Sequence, residues 1–137
     1  MIALDTKVLI RYLVADDARQ ATAARMLLEG LTTERPGFVC REVIVELVWV
    51  LRRGYGFSRD RIATVLGNLV ATEALVVEAA DDVARAAVSY RRGGAGFSDL
   101  MIAAAARRAG ADTLCTFDRK VARLDGVTLL EDPASQL

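Results

Sequence analysis

Short apolar segments alternate with amphipathic helical patterns along the whole chain. The apolar segments have the length of buried strands, and they lie at residues 1–5, 38–40, 75–77, 113–117 and 127–130. Between them, helical patterns and helix-start signals predict helices at residues 6–14, from 16–17 onward, at 42–53, 59–70, 81–92 and 98–109. Strands that alternate with helices are typical of a parallel sheet with helices packed against it. The pattern therefore predicts an α/β fold in a single domain of residues 1–137, without repeats or linkers.

Polar and glycine residues mark the ends of several of these helices. Ser58 and Ser98 each precede a helical pattern, so we expect both to be N-caps. The glycines at 54 and 56 interrupt the third helical pattern, and we expect that helix to end at Arg53. Gly110 follows the alanine-rich helix and is expected to stop it.

Four carboxylates lie at positions where packing alone gives them no partner. Asp5 and Asp118 each follow a predicted strand. Asp99 lies in the first turn of the alanine-rich helix, and Glu46 lies inside the apolar helix at 42–53. An uncompensated buried carboxylate costs on the order of several kcal/mol, so each needs a partner or a route to water. Sites in parallel sheets form beyond the carboxyl ends of the strands, so Asp5 and Asp118 converge if their strands are neighbours.

Three of these carboxylates also have a purely structural explanation. Asp5 and Asp118 could each cap the helical segment that follows, and Asp99 could be a first-turn acid that the helix dipole stabilises. Glu46 has no such explanation, because its neighbours on both sides are apolar. Exposing Glu46 must therefore expose apolar side chains as well, and a cleft would accommodate both. Glu42, one turn earlier, lies at a helix start, where an acid is normal.

Composition narrows the chemistry that these carboxylates can support. The chain has no histidine and two cysteines, which excludes a histidine general base and a zinc site built from histidine and cysteine. Hard divalent cations favour all-oxygen sites instead. The formal net charge is zero, which argues against a protein that coats nucleic acid without specificity. We expect Cys40 and Cys115 to be free thiols in the core.

The sequence contains neither a membrane-spanning apolar stretch nor the pattern of a secretory leader. The alanine run after Asp99 stops at Arg107, and Asp5 interrupts the first apolar run, which no basic region precedes. We therefore expect no membrane contact and a location in the cytoplasm.

The acidic motifs, in this order, resemble those of the PIN-domain nucleases, and among them the VapC-type toxins of bacterial toxin–antitoxin pairs. The opening motif of that family is similar to DTKVLI at residues 5–10, and its second acidic position is similar to Glu46. The third motif is similar to FSDLMIA at 97–103, and the last to TFD at 116–118. The resemblance spans the whole chain. Lys7 is a departure, because the family often has a small polar residue at that position.

The resemblance implies a PIN-like three-layer α/β fold, with a five-stranded parallel sheet and helices on both faces. It also implies Mg²⁺ or Mn²⁺ as the cofactor and endonucleolytic hydrolysis of RNA. The metal ligands would be Asp5, Glu46, Asp99 and Asp118, with Asp5 and Asp99 as the principal pair. Glu46 would serve a second metal or orient the attacking water, and Thr116 would hold a carboxylate in place.

The resemblance further implies a homodimer that binds a small antitoxin. We expect the partner surface around Trp49, Tyr55 and Phe57, because an apolar patch of this kind often marks an interface. Two other functions stay open. One is a non-catalytic PIN-like module for binding or regulation, and the other is a metal-dependent phosphohydrolase that acts on small phosphate esters.

Overall fold

The computed structural model describes residues 1–133, in which strands and helices alternate as the sequence predicts. The strands are β1 (Ile2–Ala3), β2 (Gly37–Val39), β3 (Leu75–Val77), β4 (Leu114–Thr116) and β5 (Val127–Leu129). The helices are α1 (Thr6–Val14), α2 (Ala18–Glu29), α3 (Arg41–Trp49), α4 (Arg59–Ala71), α5 (Ala80–Arg92) and α6 (Phe97–Arg108). A π-helical turn (Val50–Gly54) follows α3, and a 3-10 helix (Val121–Arg123) lies between β4 and β5.

All strand pairs in residues 1–133 are parallel, but the strands form two sheets. In the first sheet, β2 pairs with β1 on one side and with β3 on the other, and Gly37 lies opposite both Ile2 and Leu75. In the second sheet, β4 pairs with β5, with Leu114 opposite Val127. The predicted α/β class with parallel strands is therefore confirmed. Within residues 1–133, hydrogen-bonded pairing links three strands in one sheet and two in the other, so a single five-stranded sheet is not confirmed.

The core lies between the first sheet and the helices. Its fully buried large side chains come from several helices and from β2, namely Leu9, Val39, Ile44, Leu47, Leu51, Ile62, Leu66, Val83 and Met101. Each such side chain contributes roughly 1.5–3 kcal/mol through removal of apolar surface from water. Helix α3 supplies Ile44 and Leu47 to this core, so one of its faces is fixed against the body of the protein.

Several helix and strand bounds match the predictions, since they depend on local signals. Helix α1 and strand β3 have the predicted limits. The hydroxyl of Ser58 accepts a hydrogen bond from the Arg61 N–H, so its role as an N-cap is confirmed. Two details are wrong. Ser98 is the second residue of α6 rather than its cap, which is Gly96. Regular α3 ends at Trp49, and a π-helical turn continues the chain beyond it.

The two cysteines are free, as predicted, but neither belongs to the core. Cys40 directly follows β2 and is half-buried, whereas Cys115 lies on β4 and is exposed. The free thiols are confirmed and the prediction of their burial is wrong. The main buried core of residues 1–133 includes no side chain from β4 or β5, so Cys115 lies outside it. No helix within residues 1–133 is long and apolar enough to span a membrane.

Candidate active site

Asp5 lies two residues beyond the end of β1 and caps helix α1. Its backbone is extended, and its Oδ1 accepts a hydrogen bond of 2.8 Å from the Thr6 N–H. The side chain is exposed, so the carboxylate can reach a ligand in solvent while it caps the helix. The structural role considered for Asp5 therefore exists, and it is compatible with a second role in binding.

Glu46 faces a cleft between α3 and the first turns of α6. The cleft has a volume of about 790 Å³, and Glu42 and Trp49 also line it from α3. Glu46 is exposed, and so is Trp49, with 63% of its surface accessible. Exposure of Glu46 thus exposes an apolar neighbour on the same helix, which confirms the expectation for a carboxylate in an apolar helix. The cleft accommodates both side chains.

Helix α6 forms the opposite wall of this cleft. Ser98, Met101 and Ile102 line it, and Ile102 is 52% exposed. Asp99 lies in the first turn of the same helix and is half-buried, but its side chain does not line the cleft. Its Oδ2 instead lies close to Gly96, only 3.4 Å from where a Cβ at that position would be. The Asp99 carboxylate therefore folds back towards the start of its own helix.

Asp118 follows β4 and organises the turn after it. Its Oδ1 accepts hydrogen bonds from the Lys120 N–H at 2.8 Å and the Val121 N–H at 3.3 Å. The Thr116 hydroxyl accepts a hydrogen bond of 3.0 Å from the Asp118 N–H. Asp118 is exposed. Asp118 thus holds the turn that leads into the 3-10 helix, but the cap of that helix is Lys120, so the capping role considered for Asp118 is wrong. Thr116 orients the backbone that carries this carboxylate.

The structure gathers some acidic side chains, but not the full predicted set. Glu42 and Glu46 share the cleft with Glu78, while Asp5 and Asp118 lie beyond the ends of strands in separate sheets. Exposed carboxylates have the right donor chemistry for a hard divalent cation. Nevertheless, residues 1–133 contain no group of three His, Cys, Asp or Glu side chains close enough to hold one ion. The arrangement of these strands and helices does not itself form a metal centre.

Glu78 is a cleft residue that the sequence pattern did not single out. It follows β3, and its Oε1 accepts a hydrogen bond of 2.8 Å from the Arg41 N–H at the start of α3. The contact forms because β2 and β3 are parallel neighbours, so their carboxyl ends meet. Asp5 was recognised by the same signal, an acid directly after a short apolar strand, and that signal would also have found Glu78.

The expected partner surface around Trp49, Tyr55 and Phe57 needs correction. Phe57 is 6% exposed and belongs to the core, where its ring packs under the guanidinium of Arg61. Tyr55 is half-buried, and its hydroxyl donates a hydrogen bond of 2.8 Å to Asp16. Only Trp49 is broadly exposed. The apolar surface is therefore the wall of the cleft rather than a groove at the turn after α3.

A second, smaller cavity continues from the cleft along α3. It has a volume of about 290 Å³, and Trp49 and Ser98 line both spaces. Three arginines, Arg52, Arg53 and Arg59, line the smaller cavity. The guanidinium of Arg59 is engaged by backbone carbonyls, so Arg52 and Arg53 are the pocket's candidates for contact with a phosphate group beside the acidic cleft.

The fold, the carboxylates after parallel strands and the acidic cleft are those of an α/β nuclease-like domain. The family model of the PIN domain matches residues 2–127. The chain therefore belongs to the PIN-domain family, which confirms the family resemblance. The chain is also similar to the VapC ribonuclease of Aquifex aeolicus (strain VF5), with 28% identity over 124 residues, which are 90% of this chain and 92% of the relative.

Proposed function

We propose that this protein is a divalent-metal-dependent endoribonuclease, the toxin of a toxin–antitoxin pair, which hydrolyses phosphodiester bonds of RNA. One observation carries the proposal. Glu46, a carboxylate within an apolar helix, faces a cleft whose other wall is the helix that bears Asp99. Packing offers no reason for a carboxylate at this position, whereas nucleic-acid hydrolysis does. The similarity to a VapC ribonuclease over most of both chains supports the same activity.

The proposed roles of the acidic residues are those that the family resemblance implies. Asp5 and Asp99 are the principal ligands of Mg²⁺ or Mn²⁺, and Asp118 is a ligand directly or through water. Glu46 binds a second ion or orients the attacking water, and Thr116 holds Asp118 in place through its backbone N–H. A divalent cation held by such carboxylates makes water a better nucleophile near neutral pH and offsets negative charge that develops on the phosphate.

This ligand set requires Asp118 to lie beside Asp5, so we also propose that β4 joins the free edge of β1 in a five-stranded sheet. Within residues 1–133, each of the two strands has a hydrogen-bonded partner on one side and a free edge on the other. An unpaired edge leaves backbone donors and acceptors open to another strand. Parallel pairing of β1 with β4 would bring their carboxyl ends together, and with them the two aspartates. The result would be one domain of residues 1–137.

The test is cleavage of a structured RNA by the purified protein without its antitoxin. We expect cleavage with Mg²⁺ or Mn²⁺, no cleavage with excess EDTA, and recovery when the metal is restored. An aryl phosphomonoester serves as the competing substrate, and we expect no turnover of it. Turnover of the monoester alone would favour the phosphohydrolase. Absence of all turnover at high enzyme concentration would favour the non-catalytic module, and cleavage that survives EDTA would refute the metal mechanism.

We propose a homodimer and a small antitoxin as the protein partners. Trp49 and Ile102 expose 63% and 52% of their surfaces at the cleft, and exposed apolar side chains of this size often mark an interface. An amphipathic antitoxin helix could lie along this wall. Light scattering at micromolar concentration should give a dimer mass, and Trp49→Ala should weaken either self-association or antitoxin binding. A monomer that binds its antitoxin equally well with Trp49→Ala would place both surfaces elsewhere.

Since the substrate is cellular RNA, we propose that the protein acts in the cytoplasm.

A further inference from the structure

The segment between α5 and α6 has little to hold its conformation locally. It contains three glycines, at 93, 94 and 96, and the first two have φ of +94°, a region that other residues rarely adopt. Gly96 caps α6 without a side chain to hold the helix start, and the Leu100 N–H bonds to the Gly96 carbonyl at 3.1 Å. The position of the α6 N-terminus must therefore be set by contacts from elsewhere in the fold.

Arg59, the first residue of α4, supplies those contacts. Its Nη1 donates hydrogen bonds to the carbonyls of Tyr90 at 3.0 Å and Ala95 at 3.1 Å. Its Nη2 donates to the carbonyl of Gly94 at 3.0 Å. One planar guanidinium thus joins the last turn of α5 to the segment that starts α6. A lysine ammonium is a point donor and cannot reproduce this fork.

Aromatic packing holds the Arg59 guanidinium in place. Its Cζ lies 4.4 Å from the centroid of the Tyr90 ring, a cation–π contact. The Tyr90 ring in turn meets Phe97, the first residue of α6, edge to face, with centroids 6.0 Å apart. Both rings are 3% exposed. The charge, the two rings and the three carbonyls therefore form one packed unit at the start of α6.

This unit lies next to the acidic site. Asp99 is two residues beyond Phe97 in the first turn of α6, and its Oδ2 lies 3.4 Å from where a Cβ at Gly96 would be. Gly96 directly follows Ala95, whose carbonyl Arg59 binds. Ser98, between Phe97 and Asp99, lines the cleft that Glu46 faces. A shift of the segment at 94–96 would therefore move both Ser98 and Asp99.

We propose that Arg59 is a positioning residue, which sets the start of α6 and thereby the location of Asp99 relative to the cleft. The proposal rests on the proposed function, because the location of Asp99 matters for turnover only if the site hydrolyses RNA. Arg59 does not act on the substrate in this role. It acts through the backbone of residues 94–96.

The test compares Arg59→Lys with Arg61→Lys in the full-length protein. Arg61 is a matched control, because it lies on the same helix turn and also stacks on an aromatic ring, that of Phe57, at 3.8 Å. It makes no hydrogen bond to the segment that Arg59 binds. In metal-free buffer, amide exchange of Leu100 should become about tenfold faster in Arg59→Lys and stay unchanged in Arg61→Lys. If Arg59→Lys does not fold, Arg59→Gln provides the same comparison with one NH₂ donor retained.

RNA cleavage provides the second measurement. In Arg59→Lys, kcat should fall about tenfold to hundredfold while KM for RNA changes little, because a misplaced carboxylate affects the reaction more than substrate binding. Equal exchange of Leu100 in the two variants would overturn the proposal. Faster exchange together with kcat equal to that of Arg61→Lys would overturn it too, since the contact would then be structural only. If the proposed function is wrong, the wild-type protein itself will cleave no RNA in the presence of metal. The amide exchange of Leu100 would then still decide whether Arg59 holds the start of α6.

Discussion

Asp5 combines a structural contact with a proposed catalytic role, and two substitutions separate them. Asp5→Asn keeps a side-chain oxygen that can accept the hydrogen bond from the Thr6 N–H, which is 2.8 Å long in the parent. The substitution removes the negative charge. Asp5→Ala removes both. If Asp5 is a metal ligand, both variants should lose RNA cleavage. Only the alanine variant should lose stability, because Asn and Asp are equally good N-caps.

The two effects differ greatly in size. Loss of an N-cap costs about 1 kcal/mol, and unfolding of a chain this long has an entropy of about 0.3 kcal/mol/K, so the melting temperature should fall by about 3–4 °C in Asp5→Ala. Asp5→Asn should melt within about 1 °C of the parent, because the side chain is exposed and keeps its hydrogen bond. Loss of a metal ligand removes several kcal/mol of transition-state stabilisation, so about 4 kcal/mol would lower cleavage about 1,000-fold in both variants.

The assay combines thermal unfolding in metal-free buffer with RNA cleavage in saturating Mn²⁺. Thermal unfolding without metal reports the cap alone, and cleavage reports the carboxylate. Full activity in Asp5→Asn would refute the role of Asp5 as a ligand and leave it as a helix cap. A large drop in the melting temperature of Asp5→Asn would show instead that the charge itself holds the fold.

Three further predictions test other parts of the structure. Glu46→Gln should lose most cleavage activity and Glu42→Gln little, with both melting like the parent because both side chains are exposed in the same cleft. Equal losses would mean that the charge of the cleft matters rather than one ligand. Gly37→Ala should lower the free energy of unfolding by about 1–3 kcal/mol in denaturant titrations, because its Cβ would lie 2.8 and 2.9 Å from two leucine side chains. The hydrogen bond to Asp16 raises the pKa of Tyr55 above its ordinary value of 10.0, so the folded state holds the phenol proton more tightly. This stabilisation is present below pH 10 and is lost as pH rises through the raised pKa. The free energy of unfolding should be measured by denaturant titration at one pH below 10 and at one pH above the raised pKa. The loss of stability between these two pH values should be smaller in Tyr55→Phe than in the parent.

The sequence predicts the limits and caps of helices and strands correctly wherever a few consecutive residues decide them. The limits of α1 and β3 follow from periodicity together with the cap at Asp5, and the Ser58 cap needs only the N–H three residues ahead. The acidic motifs were readable for the same reason, because each is a short pattern at the end of an element. The sequence predicts Ser98 as the cap of α6, whereas the cap in the structure is Gly96. The helix starts at Phe97, one residue before Ser98, and the ring of Phe97 packs against Tyr90.

The sequence does not predict which side of a segment packs against distant parts of the chain. Trp49 ends α3 and Phe57 lies just before α4, and both are aromatic, yet Trp49 is exposed and Phe57 is buried. The difference in exposure depends on which face of each segment packs against the core, and packing between distant segments decides that.

The amino-acid sequence therefore carries the elements, their order and the carboxylates at their ends, because these depend on neighbours a few residues apart. The tertiary structure decides which of those carboxylates share a space. Glu78 reaches α3 across 37 residues of chain, and Arg59 binds carbonyls 31 to 36 residues away. Such contacts form only when strands pair and helices pack, since no local pattern encodes a partner that the chain meets after folding.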